Sequence, residues 1–283
     1  MNLTTLKPKP LKDLTLLDKF LFDETMENSD VYEDVLQIIL EDDHLRLLTE
    51  PETEKELRTV PWLRSIRMDV FALDQEKTVY NTEMQAEKKL DLVRRSRYYQ
   101  GLIDSSLLPS GITSYNSLNN SCIIMITPFD LFDRKRYRYT FIPCCKEDKT
   151  LELNDGAMRI FLNTKGTNDH EISPELRDFL HYVGSLDESL VENSNSERLK
   201  NIHACVNRIK ASEEMGVKYM QKWEERVLDR EKGREEGREE GRLSTTLENL
   251  RNLMTNVGMT PEQAMAALSV PHDEQEKYLK LLQ

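Results

Sequence analysis

The sequence predicts an α/β protein with a helical C-terminal extension, and three stretches carry that prediction. Residues 67–85, RMDVFALDQEKTVYNTEMQ, read as two strands joined by a tight polar turn. Residues 122–127, CIIMIT, form a continuous apolar run bounded by turn residues, the mark of a strand buried on both faces. After about Gly166 the strand signals stop and helical spacing takes over.

The elements follow in order. Asp30 to Leu40 has helical spacing through Val31, Val35, Ile38 and Ile39, with Ser29 or Asp30 as cap. Residues 45–58 are ambiguous, interrupted by Pro51, with room for a short strand. Lys88 to Ile103 follows the hairpin as a helix, Leu92, Val93, Tyr99 and Leu102 on one stripe and the arginines on another. Pro109 to Asn120 is a Ser/Asn/Gly-rich loop, and residues 137–142 and 158–162 are further strands. Ser173-Pro174-Glu175 begins a helix to about Val183, and one long helix is expected from Asn195 through Trp223 and beyond. Arg-Glu-Glu-Gly repeats then place Gly233, Gly237 and Gly241 along a slowly rotating helical stripe. A solvated, charge-laced helix is the plainer reading of the repeat; self-association through the glycine stripe is the other. Thr260-Pro261-Glu262 starts a last small helical segment.

The hairpin carries the chemistry. In strict alternation Arg67, Asp69 and Phe71 share one face of the first strand, and Glu83 and Gln85 share one face of the second. If Asp74 pairs with Thr78 across Gln75, Glu76 and Lys77, Asp69 stands opposite Glu83 with Cβ atoms roughly 5 Å apart. Like charges in that arrangement are destabilising, and a divalent cation on their oxygens would offset the repulsion. On the hairpin alone, two solvated surface carboxylates are the commoner arrangement.

Composition narrows the field. A 283-residue chain has room for one substantial core and a smaller appendage. It has no apolar run of bilayer length, and MNLTTLKPKP lacks the apolar stretch of a signal peptide, so a soluble cytoplasmic protein is expected. Cys122, Cys144, Cys145 and Cys205 agree with a reducing compartment and lack zinc-site spacing, and the five histidines are scattered singly. The net charge of −12 argues against nucleic acid until its distribution is read. Between Ala86 and Ile103, Lys88, Lys89, Arg94, Arg95 and Arg97 outweigh Glu87 and Asp91. A second basic group, Arg134, Lys135, Arg136 and Arg138, contains no acid.

An Asp, a spacer, then Glu-x-Gln on a strand is similar to the PD-(D/E)XK nuclease signature. Together with LTLLDKFLFDETM, RSIRMDVFALD, RRSRYYQGLID and PFDLFDRKRYRYTF, it makes the chain resemble the Rpn family of recombination-promoting nucleases over roughly residues 11–240. The resemblance implies a three-layer PD-(D/E)XK restriction-endonuclease-like core with a helical C-terminal extension. Residues 1–165 would be the nuclease-like domain, 166–242 a helical region with the repeat as linker, and 243–283 a small helical tail. The implied activity is Mg²⁺- or Mn²⁺-dependent DNA cleavage that promotes recombination or transposition-like events. Asp69 and Glu83 would be the metal ligands, with the Met84 carbonyl beside them, and Gln85 would occupy the place where many superfamily members have lysine. Glutamine can hydrogen-bond a water but brings no charge to it. The basic groups would hold the DNA backbone without reading sequence, Tyr98 and Tyr99 being either core or stacking residues. Glu33 is a further candidate for a contact behind the metal, and homo-oligomers through the C-terminal helices are a further partner expectation. The competing reading is a catalytically degenerate DNA-binding or interaction module working through its helical C-terminal half.

Overall fold

The computed structural model describes residues 7–58, 65–108 and 110–282. The first six residues of the stretch read for a signal peptide, and Pro109 at the head of the expected loop, lie outside the described residues. The chain forms two compact units, Met1–Gly216 and Val217–Gln283.

The first unit is built on a six-stranded mixed sheet. Its strands are β1 (Glu52–Leu57), β2 (Ile66–Leu73), β3 (Val79–Met84), β4 (Ser121–Thr127), β5 (Arg138–Phe141) and β6 (Ala157–Asn163), in the order β1-β2-β3-β4-β6-β5. β1, β2 and β3 form an antiparallel meander, β3, β4 and β6 run parallel, and β5 returns antiparallel at the edge. The ambiguous segment after Pro51 thus becomes β1, an outer strand with mixed burial, which explains its weak pattern. β4 is buried along its whole length because strands flank it on both sides and helices cover both faces.

The tight turn closes as expected. The Asp74 amide donates to the Thr78 carbonyl at 3.1 Å, and the Asp74 carboxylate accepts from the Thr78 amide at 2.7 Å. Lys77 takes φ 65°, the left-handed residue that a three-residue hairpin loop requires.

One sheet face carries α3 (Leu92–Leu107), whose Leu92, Tyr99, Leu102 and Ile103 pack on Ile66, Met68, Val79, Ile123, Met125 and Phe161. The opposite face carries α1 (Lys19–Met26) and α2 (Ser29–Leu40). There the fully buried Tyr32 hydroxyl lies 2.8 Å from Thr82 Oγ1 on β3. Behind them pack α4 (Pro174–Ser185), α5 (Glu188–Asn193) and α6 (Glu197–Ala211). At Gly166 the backbone passes so close to Tyr137 that an added Cβ would sit 2.3 Å from its ring, so only glycine fits.

Three helix expectations need correction. The cap of α2 is Asn28, whose side chain accepts from the Val31 amide, one residue before the expected Ser29 or Asp30. α3 begins at Leu92 rather than Lys88. The single long helix expected from Asn195 is two, because Ser212 adopts an extended conformation (ψ 123°) that ends α6. Its hydroxyl then accepts from the Met215 amide and so opens α7 (Glu213–Val257).

In the second unit the end of α7 packs with α8 (Pro261–Ala267) and α9 (His272–Leu282) around Leu250, Ala264, Met265, Val270 and Tyr278. Thr260 and Gln263 form a full capping box at the head of α8. The Arg-Glu-Glu-Gly repeat continues α7 as exposed helix, and among the described residues nothing beyond the helix's own backbone comes within 4 Å of where a Cβ would stand on Gly233, Gly237 or Gly241.

Tyr32→Phe should destabilise the protein by about 1–2 kcal/mol, because it strands the buried Thr82 hydroxyl. Denaturant unfolding of the two proteins measures this; equal midpoints would mean that the hydroxyl pair contributes nothing.

Candidate active site

The site grows from the end of the β2–β3 ladder. The ladder's last pair is Val70↔Thr82, so Asp69 and Glu83 hold the next register position, as the turn geometry implies. Strict alternation along β2 does not hold, however. Ile66 and Met68 pack in the same cluster as Phe71 and Leu73 despite their opposite parity, so the strand changes facing near Asp69. The backbone ladder changes there too. The Asp69 amide donates to Glu83 Oε1 at 3.1 Å, and the Met84 amide donates to Asp69 Oδ2 at 2.9 Å. Carboxylates have taken the place of ladder carbonyls, and both side chains are drawn into the seam between the strands.

Two cations from opposite layers answer this buried pair. Lys19, on α1, sets its ammonium 2.5 Å from Asp69 Oδ1 and 3.0 Å from Asp23 Oδ2, with Glu54 Oε1 at 3.8 Å. Arg95, on α3, places Nη2 2.8 Å from Glu83 Oε2 and Nη1 3.0 Å from Gln85 Oε1. Glu54 itself sits across β1 from Asp69, between the pairs Thr53↔Val70 and Lys55↔Met68, in left-handed backbone (φ 52°). Such a conformation is costly for a residue with a side chain.

Burial sets the electrostatics. Glu83 is fully buried; desolvation and then the Asp69 charge drive its pKa upward against the pull of Arg95. Asp23 is pushed up to about 7, first by burial, although Lys19 opposes the shift and Asp69 adds to it. For Lys19 burial works downward, but Asp69 and Asp23 outweigh it and hold the ammonium above its ordinary value.

An all-oxygen donor set of this kind suits a hard divalent cation. Asp69 and Glu83 supply two carboxylates, and the buried Asp23, ion-paired to Lys19, stands beside them. Among the described residues no group of three or more His, Cys, Asp and Glu is arranged to hold a metal. The protein's share of such a site would therefore be the carboxylate pair. Mg²⁺, which keeps several waters of its own, tolerates so few protein ligands.

The remaining candidates are dispersed around this pair. Gln85 is engaged at both ends: Oε1 accepts from Arg95, and Nε2 donates to the Met84 carbonyl at 2.9 Å. Lys88, Lys89, Arg94 and Arg97 are exposed on and before α3, whereas Arg95 is turned inward. Tyr99 is buried and belongs to the core, while Tyr98 is exposed. Arg134, Lys135 and Arg136 lie in the connection after β4, at the same end of the parallel strands as Glu83. They are three strand positions away from β3, roughly 14 Å, with Arg136 paired to Glu171 and Arg138 to Glu41. Glu33 is committed elsewhere, accepting from the Leu47 amide at 2.8 Å.

Lys19, Asp23 and Glu54 were not singled out in the sequence. The i,i+4 spacing of Lys19 and Asp23 is legible in LTLLDKFLFDETM. Nothing local says that this turn of helix meets Asp69, fifty residues on.

A family profile described as PD-(D/E)XK nuclease family transposase matches residues 12–237. No curated protein and no solved structure matches the chain. Among the described residues no helix is long and apolar enough to cross a membrane.

The raised Asp23 pKa makes stability depend on pH. Between its ordinary value near 3.8 and about 7 the folded protein holds this proton more tightly than the unfolded chain does. The stabilisation is complete below that window and is lost as pH rises through it, at up to about 1.4 kcal/mol per pH unit. In chelator, wild type should therefore lose stability relative to Asp23→Asn as pH rises from 4 to 7. Parallel stability–pH curves for the two proteins would refute this assignment.

Proposed function

The chain belongs to the PD-(D/E)XK nuclease family of transposases, and we propose that it is a divalent-metal-dependent DNA endonuclease acting through Asp69 and Glu83. The observation that carries the reading is the carboxylate pair buried at the end of β3, with both Lys19 and Arg95 aimed at it. Mg²⁺ or Mn²⁺ held by Asp69 and Glu83 would supply Lewis acidity toward the scissile phosphate and a bound water of lowered pKa.

The chain's own residues do the rest. Lys19 and Arg95 bring positive charge to the place where a phosphate must lose its repulsion toward two carboxylates. The superfamily's lysine position is filled by Gln85, so Lys19, reaching in from α1, is the ammonium available near an attacking water. Gln85 orients by hydrogen bonds and moves no proton. Lys88, Lys89, Arg94 and Arg97 present an exposed cationic strip on the α3 side for the DNA backbone, and Arg134, Lys135 and Arg136 extend it along the same sheet end. Phosphate contacts of this kind position DNA without selecting sequence. The cuts would serve recombination or transposition-like rearrangement.

One observation favours a second reading, a DNA-binding or interaction module without catalysis. Each carboxylate is already neutralised by an internal cation, as in a purely structural ion-pair network. The two readings separate in a plasmid-nicking assay. The nuclease reading predicts cutting with Mg²⁺ or Mn²⁺ and none in chelator, and a loss on the order of 100-fold or more in Asp69→Asn and Glu83→Gln. Lys19→Met should reduce cutting strongly while Lys19→Arg, which keeps the charge, retains part of it. Undiminished cutting by both carboxylate variants would remove the assignment. Metal-independent binding with no cleavage under any cation would establish the second reading.

A further inference from the structure

We propose that the cavity beside the carboxylate pair seats an unpaired nucleotide, so that DNA with unpaired nucleotides is bound in preference to continuous duplex. The proposal rests on the reading of Asp69 and Glu83 as a nuclease site and names the substrate form that this site takes.

The cavity holds about 580 Å³, and among the described residues two segments line it. Ser65, Ile66 and Arg67 at the start of β2 form one. The other is the head of α3, where the N-cap residue Asp91 is followed by Arg94, Arg95, Tyr98 and Tyr99 at three- and four-residue spacing, so that they share one side of the helix. Arg95 ties the cavity to the site: it lines the wall, its guanidinium lies 5.2 Å from the centroid of the Tyr99 ring, and its Nη2 reaches Glu83 Oε2.

The lining holds the parts that a nucleotide needs. Arg67 and Arg94 are exposed cations at its rim, placed for phosphate oxygens. Tyr98, more than a third exposed, lines the same space with an aromatic side chain. Asp91 is an acceptor for base N–H groups and repels phosphate, which orients the phosphate toward the arginines. The volume falls in the range that encloses a small ligand. A continuous duplex keeps its bases stacked on one another and offers only its backbone to such a surface. An unpaired base can leave the stack, enter a concave site and lie against tyrosine and arginine, a contact available to any base. The exposed strip of Lys88, Lys89 and Arg97, in contrast, is flat electrostatics that serves duplex and single strand alike.

The test uses the full chain carrying Glu83→Gln, so that binding is read without cleavage, in Mg²⁺ buffer by fluorescence anisotropy. The probes are a labelled duplex, the same duplex with a short unpaired flap, and the flap strand alone. The flapped and single-stranded probes should bind about tenfold more tightly than the duplex, and Tyr98→Ala should remove most of that preference. Tyr98→Phe, which keeps the ring, should retain it, and Lys89→Ala, outside the cavity, should weaken all three probes by the same factor. Equal affinity for the three probes, or an equal loss on all three in Tyr98→Ala, would overturn the proposal. Wild type that binds with the predicted preference but never cuts would refute the nuclease reading and leave the nucleotide seat standing.

Discussion

Two carboxylates meeting at the end of a strand pair, out of water, are the constraint around which the first unit is arranged. Asp69 and Glu83 repel one another, and burial deprives them of the solvent that would screen the repulsion. The fold answers with one cation from each layer: Lys19 from α1 and Arg95 from α3. Both helices must therefore pack correctly before the sheet end is electrostatically tolerable. That requirement accounts for the polar residues inside α1, where Asp23 is buried so that it can hold Lys19 in place.

A buried ion-pair network of this kind is a weak source of stability. Desolvation of its charges offsets most of the attraction, and well-packed apolar side chains would often do as well or better. Its presence is more readily understood through chemistry than through folding energy. The left-handed backbone at Glu54 and the raised pKa values of Glu83 and Asp23 belong to the same pattern, local cost concentrated at one place. The place is also where an α/β sheet offers a site on topological grounds, outside the carboxyl ends of parallel strands β3 and β4.

α3 shows how one amphipathic helix serves two ends. Leu92, Leu102 and Ile103 bury its inner stripe against the sheet. A neighbouring stripe sends Arg95 inward to Glu83 and leaves Arg94 and Arg97 exposed. An acidic chain can in this way present a cationic surface beside an acidic centre, because what a polyanion meets is local charge rather than the sum of −12.

Much of the fold was legible in the sequence because its signals are local. Two strand-like runs about a polar turn marked the hairpin, the apolar run marked β4, and Ser173-Pro174 and Thr260-Pro261 marked helix starts; the spacing Asp74 to Thr78 even set the register that puts Asp69 against Glu83. Features that depend on distant neighbours were not legible. β1 pairs along only one edge and carries little pattern, and the interruption at Ser212 is a single residue's choice between continuing a helix and capping the next. The role of Lys19 is the clearest case. By itself the sequence determined two carboxylates at a strand end, a glutamine where a lysine was expected, and a basic helix beside them. Only the tertiary structure decided that the ammonium comes from α1, that Arg95 turns inward while its neighbours stay out, and that Glu33 works elsewhere. The physical reason is range: alternation and capping act within a few residues, whereas charge compensation is settled by whichever side chains folding brings within about 3 Å of one another.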